Sequence, residues 1–440
     1  MGSVLRALKD SSPALWVLTR MCRRQIDQAR AAGDYEALTS GPVVYALERR
    51  ILEHLQQKDG WGFNDSTPEA IRSAYAALRD ALAFIIANAP DGAASHFNRT
   101  LNNLEKRAKS VELKSYPWRV YFEPTNQCNL RCKMCGQSFY HGDRSTVPLD
   151  AFQRIQPTLK YVQELSLFGF GETLLIDYMK DMLAAVPDYT HSMLITNGIL
   201  LSPENNRMLV DSGLKRLTIS LDAIRPDTYK AIRHVNQWEN IVGHIKDMVA
   251  YKKAVGADHP HIQMSFVAMR RNIEQLPDFI RLAQELGVSS VSADYMTAYS
   301  EEIRDQSLFY SQELSDRYVD EAIRTAEEVG MEFQHMPKFS DPTKKTRAIE
   351  RCFEPWEFLY YRADGFIMPC CVYNDKTGSW LGKDFHSYWN SLEMRKLRNT
   401  IGTEKETEPC KSCFHVYYRD VTQEHSHVHI LPESIPQIYA

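Results

Sequence analysis

Three cysteines that lie close together in the sequence are the clearest candidates for chemistry. Cys128, Cys132 and Cys135 follow the apolar run Val120–Phe122, so their thiols lie in one loop after a predicted buried strand. Thiolates in one short segment can bind a single metal centre. A [4Fe–4S] cluster normally takes four Cys ligands, so three of them would leave one iron open for chemistry. The alternative for the same thiols is a zinc site that lacks its fourth ligand in this stretch.

Composition indicates an ordinary globular protein. The 440 residues, 44% of them hydrophobic and 25% charged, suffice for two or three domains with hydrophobic cores. The net charge of −4 and the lack of basic clusters argue against nucleic acid or a membrane surface as partners. No signal peptide is recognisable, and the longest apolar run, Ala81 to Ala89, is too short to span a bilayer. We therefore expect a cytoplasmic protein whose nine Cys serve metal or redox chemistry rather than disulfides.

Residues 1–112 are predicted to form an all-helical accessory domain. Apolar residues recur there at steps of three and four, the spacing of an amphipathic helix, as in Ile71, Tyr75, Leu78, Leu82 and Ile85. The segment carries no chemical motif, so its sequence does not indicate a purpose.

From residue 113 onward, predicted strands alternate with predicted helices. The strands are Val120–Phe122, Val162–Phe168, Met193–Thr196, Leu217–Leu221, Ile262–Val267 and Val288–Ala293. The helices are Asp150–Leu159, Ile176–Ala185, Pro203–Ser212, Trp238–Lys253 and Ile273–Leu286. Six such units predict the α/β class, with a parallel sheet and right-handed crossovers. About 190 residues suit a barrel or partial barrel, in which the site lies where the cysteine loop is, at the C-terminal ends of the strands.

Polar residues follow three of the other predicted strands. The stretch Gly169–Glu172 follows the second strand, where small residues would let a ligand approach the backbone and the carboxylate could accept from an ammonium group. Asn197 follows the third strand, and alternation places Ser220 and Asp222 on one face at the end of the fourth. Each feature also has a plain structural interpretation: a turn for the first two, a helix cap for Asp222 and a solvated helix position for Arg233.

Together, the Cx3Cx2C spacing and these strand-end residues resemble the core of the radical S-adenosylmethionine (SAM) enzymes over about residues 113–335. The resemblance implies a partial (β/α)6 TIM-like barrel. It also implies a [4Fe–4S] cluster on Cys128, Cys132 and Cys135 and SAM as a cofactor. Met134 departs from the aromatic residue that the family often has in this loop.

The same resemblance implies which residues contact SAM. Gly169, Gly171 and Glu172 are similar to the GGE-type motif that holds the SAM amino group. Ser220 and Asp222 look like the polar pair of the fourth strand. Two looser matches, Asn197 and Arg233, stand where the family often places contacts to the ribose and carboxylate of SAM.

Residues 336–440 hold a second set of cysteines. The runs Phe358–Tyr361 and Phe366–Met368 flank a hairpin signal that ends at Gly365, five residues before Cys370. A predicted helix and a Cys-x2-Cys pair follow. This order resembles the small twitch domain, a shortened relative of the SPASM domain. The resemblance implies one auxiliary [4Fe–4S] cluster held by four thiols, those of Cys352, Cys370, Cys410 and Cys413.

Two features of the C-terminal region leave alternatives open. Cys371 either replaces Cys370 as a ligand or lies buried beside it, and a structural zinc is the alternative occupant of the four thiols. The alternating His425, His427 and His429 could bind a metal from one side of a strand, although the lack of a recognisable ligand set near them favours a solvated tail.

The family resemblance implies an enzyme that reductively cleaves SAM to a 5′-deoxyadenosyl radical, which abstracts hydrogen from a substrate. An electron donor such as flavodoxin or ferredoxin would be a partner. Because residues 1–112 look wholly helical rather than like a winged-helix leader-binding domain, we expect a small polar substrate: a sugar, aminoglycoside or nucleoside of natural-product biosynthesis, oxidised, dehydrated or epimerised. One alternative is a maturase that modifies a ribosomally made peptide; another is a non-enzymatic metal-binding scaffold.

Overall fold

The computed structural model describes residues 13–39, 42–56, 69–139, 144–341, 352–371, 388–411, 413, 421–422, 424 and 427–428. The first part of the chain is helical, as predicted. Its helices are α1 (Pro13–Ala32), α2 (Glu36–Thr39), α3 (Pro42–Gln56), α4 (Glu69–Asn88) and α5 (Asp91–Arg107). They share a core of their own that includes Leu47, Leu78 and Leu101. In the described ranges, no helix is long and apolar enough to cross a membrane.

The central part of the chain alternates strands with helices. The strands are β1 (Arg119–Phe122), β2 (Glu164–Leu167), β3 (His191–Thr196), β4 (Arg216–Ser220), β5 (His261–Ala268), β6 (Ser290–Tyr295) and β7 (Glu332–Gln334). The helices are α6 (Leu149–Ile155), α7 (Met179–Ala184), α8 (Pro203–Asp211), α9 (Pro226–Arg233), α10 (Trp238–Ala254), α11 (Leu276–Leu286) and α12 (Gln312–Val329). The predicted α/β class and six strand–helix units are confirmed.

The C-terminal part of the chain extends the same sheet. It contains α13 (Glu354–Glu357), β8 (Phe358–Tyr361), β9 (Ile367–Met368) and α14 (Leu392–Thr400). The sheet has nine strands in the order β7-β6-β5-β4-β3-β2-β1-β8-β9. Every neighbouring pair is parallel except the hairpin β8–β9. The predicted hairpin is therefore present, and it is joined to the barrel strands through β1.

The two faces of the sheet differ in character, which fixes the interior of the partial barrel. One row of register partners, Phe122, Leu167, Leu194 and Leu217, is fully buried against the helices. On the other face, Ser220, Ser265 and Ser292 stand in register on β4, β5 and β6. Parallel strands that are covered by helices have largely apolar sequences, and for this reason the strands were recognisable from sequence.

Among the elements that the sequence did not predict are a helix and a strand of the central part. Helix α9 is an extra helix between β4 and β5, and the short strand β7 pairs with β6. Two of the three alternating histidines, His425 and His429, lie outside the described residues. The interpretation of the histidines as a solvated tail is wrong for His427, which is 2% exposed and packs against Tyr295.

A buried carboxylate joins the N-terminal helices to the start of the barrel. Glu105 on α5 forms an ion pair with Arg79 on α4 and accepts hydrogen bonds from the backbone N–H groups of Lys114 (2.8 Å) and Ser115 (3.0 Å). Its side chain is fully buried. The Glu105 carboxylate is thus the partner of one cation and the acceptor for two backbone N–H groups in the segment that leads into β1.

We expect Glu105→Ala to destabilise the protein by about 3 kcal/mol, because it removes the carboxylate partner of Arg79 and the acceptor of one buried and one partly buried N–H group. Equilibrium urea unfolding followed by far-UV circular dichroism measures this. The control is Glu53→Ala, which removes an exposed pair with Arg50 and should cost less than about 1 kcal/mol. Equal losses in the two variants would contradict the structural role of Glu105.

Candidate functional site

The three clustered cysteines lie in the loop after β1, at the carboxyl end of the sheet. Cys132 is buried, and Cys128 and Cys135 are half-buried. Burial, with smaller contributions from the two neighbouring thiols, raises the pKa of Cys135 to about 11. A bound metal ion opposes this shift because it stabilises the thiolate. No three Cys, His, Asp or Glu side chains of the described residues are grouped tightly enough for a single metal ion.

Hydrogen bonds fix the path of this loop. Asn126 accepts from the Ser145 N–H at 2.7 Å, and its own carbonyl accepts from the Gln137 side chain at 2.6 Å. The Leu130 N–H points at the Cys128 sulfur at 3.4 Å. A backbone donor aimed at a thiol is the kind of group that stabilises a coordinated thiolate.

Glu123, the last residue before the loop, is a buried carboxylate shared by three segments. Its Oε1 accepts from the Phe170 N–H at 2.7 Å, and its Oε2 accepts from the Ala363 N–H at 3.0 Å. Burial raises its pKa, and the two N–H donors oppose that rise. The carboxylate therefore joins the cysteine loop to the loop after β2 and to the turn after β8.

The predicted Gly169–Glu172 motif packs directly beneath the cysteine loop. A Cβ on Gly169 would lie 2.2 Å from Glu123 Oε1, and one on Gly171 would lie 2.1 Å from the Thr125 carbonyl oxygen. Both positions must therefore be glycine because the protein itself fills the space. From sequence alone, the expected reason for these glycines is instead the close approach of a ligand.

Glu172 is buried and already accepts three hydrogen bonds from the protein. The donors are the Thr196 hydroxyl (2.7 Å), the Asn197 N–H (2.7 Å) and the Leu174 N–H (3.3 Å). Burial raises its pKa and these donors oppose the rise. The carboxylate thus holds the ends of β2 and β3 together, and it lines the cavity described below.

Asn197 and Ser220 both lie at the cavity. The Asn197 amide donates to the Asn129 side chain at 2.7 Å and points at the Cys128 sulfur at 3.9 Å, so it braces the cysteine loop. The Ser220 hydroxyl accepts from Ser265 at 3.1 Å, on the inner face of the barrel.

Asp222 lies beneath the cavity wall rather than in it. It is fully buried, it accepts from the Val267 N–H at 2.8 Å, and it forms an ion pair with Arg233. Arg233 lines the cavity and also donates to the Cys132 sulfur at 3.6 Å. Asp222 and Arg233, each predicted as a SAM contact, therefore form a chain of charges that leads from Asp222 through Arg233 to a candidate metal ligand.

A cavity of about 380 Å³ opens above these groups at the mouth of the barrel. Residues from the ends of β1 to β6 line it, so the sheet curves around one space. Its walls comprise the three thiols, Gly169, Gly171, Glu172, Asn197, Ser220 and Arg233, with the aromatic residues Phe168, Phe170, Tyr295 and Tyr299. All the predicted core site residues except Asp222 thus meet at one cavity.

The second cysteine set assembles between the β8–β9 hairpin and the segment after α14. Cys352, Cys410 and Cys413 lie close to one another. Cys371 is exposed, so the alternative in which it lies buried beside Cys370 is wrong, and its thiol lies near that of Cys413. Cys370 packs beside an apolar group formed by Phe358, Tyr360 and Met368. Both adjacent cysteines therefore border the same region.

The groups around the first three thiols suit an iron–sulfur cluster. The Nε atom of Arg233 and the hydroxyl of Tyr229 are buried and have no hydrogen-bond partner among the described residues. Arg233 donates to the Cys132 sulfur at 3.6 Å, and Tyr229 lies near enough to Cys132 for their charges to interact. Buried donors without acceptors are costly, so a negatively charged group at the thiols would satisfy them.

Sequence reasoning missed the parts played by Glu123 and Tyr229. Glu123 carries one usable signal, a carboxylate directly before Pro124 at the end of an apolar strand. Tyr229 gives none, because its position beside Cys132 arises from helix α9, which the sequence did not predict.

The family models agree with this division of the chain. Residues 122–283 match the radical SAM superfamily, and residues 352–414 match the SPASM iron–sulfur cluster-binding domain. The first match spans the cysteine loop and the strand-end residues, and the second spans all four predicted auxiliary ligands.

Similar curated proteins cover the chain to different extents. The chain is 28% identical to a cofactor-modifying protein for tungsten-containing aldehyde ferredoxin oxidoreductase from Pyrococcus furiosus, over 39% of this chain and 49% of that protein. It is 30% identical to GTP 3′,8-cyclase from Geobacter sulfurreducens, over 44% and 60%. It is 24% identical to PqqA peptide cyclase from Bradyrhizobium diazoefficiens, over 70% and 82%. The first two matches thus span about half of those relatives' length.

Solved structures show the same fold. Streptococcus suis SuiB bound to the precursor peptide SuiA aligns with a TM-score of 0.56 at 16% identity, over 87% of this chain and 84% of that one. The enzyme anSMEcpe with bound AdoMet aligns with a TM-score of 0.51 at 14% identity, over 74% and 90%.

These findings confirm the predicted cofactors: SAM, a SAM-binding [4Fe–4S] cluster and auxiliary iron–sulfur binding. The cysteine loop, the strand-end groups around one cavity and the C-terminal thiols thus belong to a radical SAM enzyme with a C-terminal SPASM-type domain.

Proposed function

We propose that this enzyme modifies a peptide. A cluster held by Cys128, Cys132 and Cys135 and SAM bound beside it would supply the radical chemistry of this family, in which a hydrogen atom is removed from the substrate. We propose that the hydrogen comes from a residue of a peptide chain that enters the barrel mouth. This was the alternative to the small polar substrate favoured by the sequence.

The observation that carries the proposal is the extent of the match to PqqA peptide cyclase. It covers 70% of this chain and therefore includes more than the radical SAM segment. Two matches to GTP 3′,8-cyclases cover 37% and 44% of the chain, which is about the length of the shared core. A similarity that extends beyond the core carries more weight for the substrate, because the core chemistry is common to the superfamily.

The shape and lining of the cavity support the same substrate class. The space is open to solvent, and aromatic residues from two sides of its mouth line it: Phe168 and Phe170 after β2, and Tyr295 and Tyr299 at the end of β6. Apolar rings with a few polar groups suit the side chains and backbone of a peptide. The helical N-terminal region argues against a winged-helix leader-binding domain, but it does not argue against a peptide substrate as such.

We further propose roles for the residues of the cavity. Cys128, Cys132 and Cys135 would hold the SAM-binding cluster. Glu172 would accept from the SAM ammonium, with Ser220 and Asn197 as further polar contacts. Because protein donors already orient the Glu172 carboxylate, little conformational entropy would be lost on binding.

For the auxiliary cluster, we propose Cys352, Cys370, Cys410 and Cys413 as ligands, since Cys370 stands at the spacing from Gly365 that the domain resemblance requires. Two matched variants test this assignment. Cys370→Ser should lower the iron content of anaerobically reconstituted protein from about eight to about four per chain, whereas Cys371→Ser should leave it near eight. The reverse pattern would make Cys371 the ligand, and zinc in place of iron would exclude the cluster.

The substrate proposal predicts the source of the hydrogen in 5′-deoxyadenosine. Reconstituted protein is incubated anaerobically with SAM, dithionite and pools of deuterated compounds: peptides, sugars or nucleosides including GTP. We expect deuterium in 5′-deoxyadenosine only with a peptide pool, together with a peptide that has lost hydrogen. Mass spectrometry measures both.

The control for this experiment is Glu172→Gln, which should keep its iron but bind SAM more weakly and transfer less deuterium. Deuterium transfer from the sugar or nucleoside pool, and none from peptides, would contradict a peptide substrate. It would restore the small-molecule interpretation without changing the radical SAM assignment.

A further inference from the structure

Helix α9 is anchored against the cysteine loop. The Lys133 N–H in that loop donates to the carbonyl of Ile232 at 3.1 Å. The helix ends one residue later, because His234 adopts a left-handed conformation with φ of 62°. These two features place the end of the helix, and Arg233 with it, beside Cys132.

Arg233 is held in this position from both sides. Its guanidinium donates to Asp222 and, at 3.6 Å, to the Cys132 sulfur, and only 7% of the residue is exposed. Asp222 is itself fixed, because its other oxygen accepts from the Val267 N–H and the Asn272 amide donates to its carbonyl at 2.9 Å. The cation therefore cannot easily swing away from the sulfur.

Tyr229 lies one turn earlier on the same helix. Its side chain is fully buried, and its hydroxyl has no partner among the described residues. Both Arg233 and Cys132 lie near enough to affect the ionisation of this phenol. A helix places residues four apart on the same side, so Tyr229 and Arg233 face the cysteine loop together.

We propose that Arg233 and Tyr229 set the reduction potential of the SAM-binding cluster, with Asp222 as the positioning residue for Arg233. The proposal rests on Cys132 being a cluster ligand, but not on the identity of the substrate. Reduction adds one negative charge to the cluster and its thiolates. A fixed cation and a hydroxyl donor on the Cys132 side stabilise that charge, so they raise the potential and make the cluster easier to reduce.

This role is separable from a contact between Arg233 and SAM. A residue that only binds the SAM carboxylate changes SAM affinity and leaves the potential of the SAM-free cluster unchanged. A residue that acts on the cluster shifts that potential before SAM is added. The decisive measurement is therefore a redox titration of the reconstituted, two-cluster protein without SAM.

The variants are Tyr229→Phe, which removes one hydroxyl, and Arg233→Gln, which removes the cation. Electron paramagnetic resonance follows the titration, and the SAM-binding cluster is identified by the change of its spectrum when SAM is added to a parallel sample. We expect Arg233→Gln to lower the ratio of reduced to oxidised cluster about tenfold at a fixed potential, a midpoint shift of about 59 mV for one electron. Tyr229→Phe should shift it in the same direction by less.

The auxiliary cluster of each sample is the internal control, and its midpoint should not move. Arg225→Gln and Tyr251→Phe make the same chemical changes at residues whose partners, Glu274 and Asp211, lie outside the cavity. Both should titrate like the wild type. If the Arg233→Gln protein does not bind the first cluster, Tyr229→Phe still tests the proposal. This variant changes no charge and should therefore retain the cluster. An unchanged SAM-free midpoint in either loaded variant, with only SAM affinity reduced, would overturn the proposal.

Discussion

The site depends on the buried carboxylate of Glu123 more than on any other single group. It lies at the end of β1 and accepts from Phe170 on one side and from Ala363 on the other, at 2.7 and 3.0 Å. Since a charge in this environment is stable only while its donors remain, the loop after β2 and the turn after β8 must keep their positions around the cysteine loop. Gly169 follows from the same constraint, because any side chain there would occupy the space of the carboxylate.

This constraint explains why the parts of the chain do not behave as separate modules. Strand β1 pairs with β2 of the barrel and with β8 of the C-terminal region, so both cysteine sets are connected to one sheet. The segment before β1 is bound from the C-terminal side as well: Trp389 donates to the Ser115 carbonyl at 2.8 Å, and Asn390 exchanges two hydrogen bonds with Leu113. Metal binding by the C-terminal thiols is therefore coupled to the sheet that carries the first cysteine loop.

How much could be predicted from sequence depended on how local the determining interactions are. The core strands were recognisable because strands covered by helices are continuously apolar, and the thiol spacing is read directly. Alternation placed Asp222 on the same face as Ser220, but Asp222 has φ of 62°, so the strand has ended and its side chain turns towards Arg233. Helix α9 was not predicted because it is short and strongly charged. Its apolar residues Tyr229 and Ile232 are buried only by contacts with other parts of the fold.

Contacts between residues that are distant in sequence also determine the region between the two cysteine sets. Phe168, which lines the cavity, contacts Tyr121 with ring centres 5.0 Å apart, and Tyr121 meets Phe358 and Tyr360 at 4.7 and 6.1 Å. These last two rings pack around Cys370. No local pattern predicts this group, because it brings together β1, the end of β2 and β8. Continuous aromatic packing therefore links the cavity to the C-terminal thiols, and a side chain that disturbs it alters the surroundings of both sites at once.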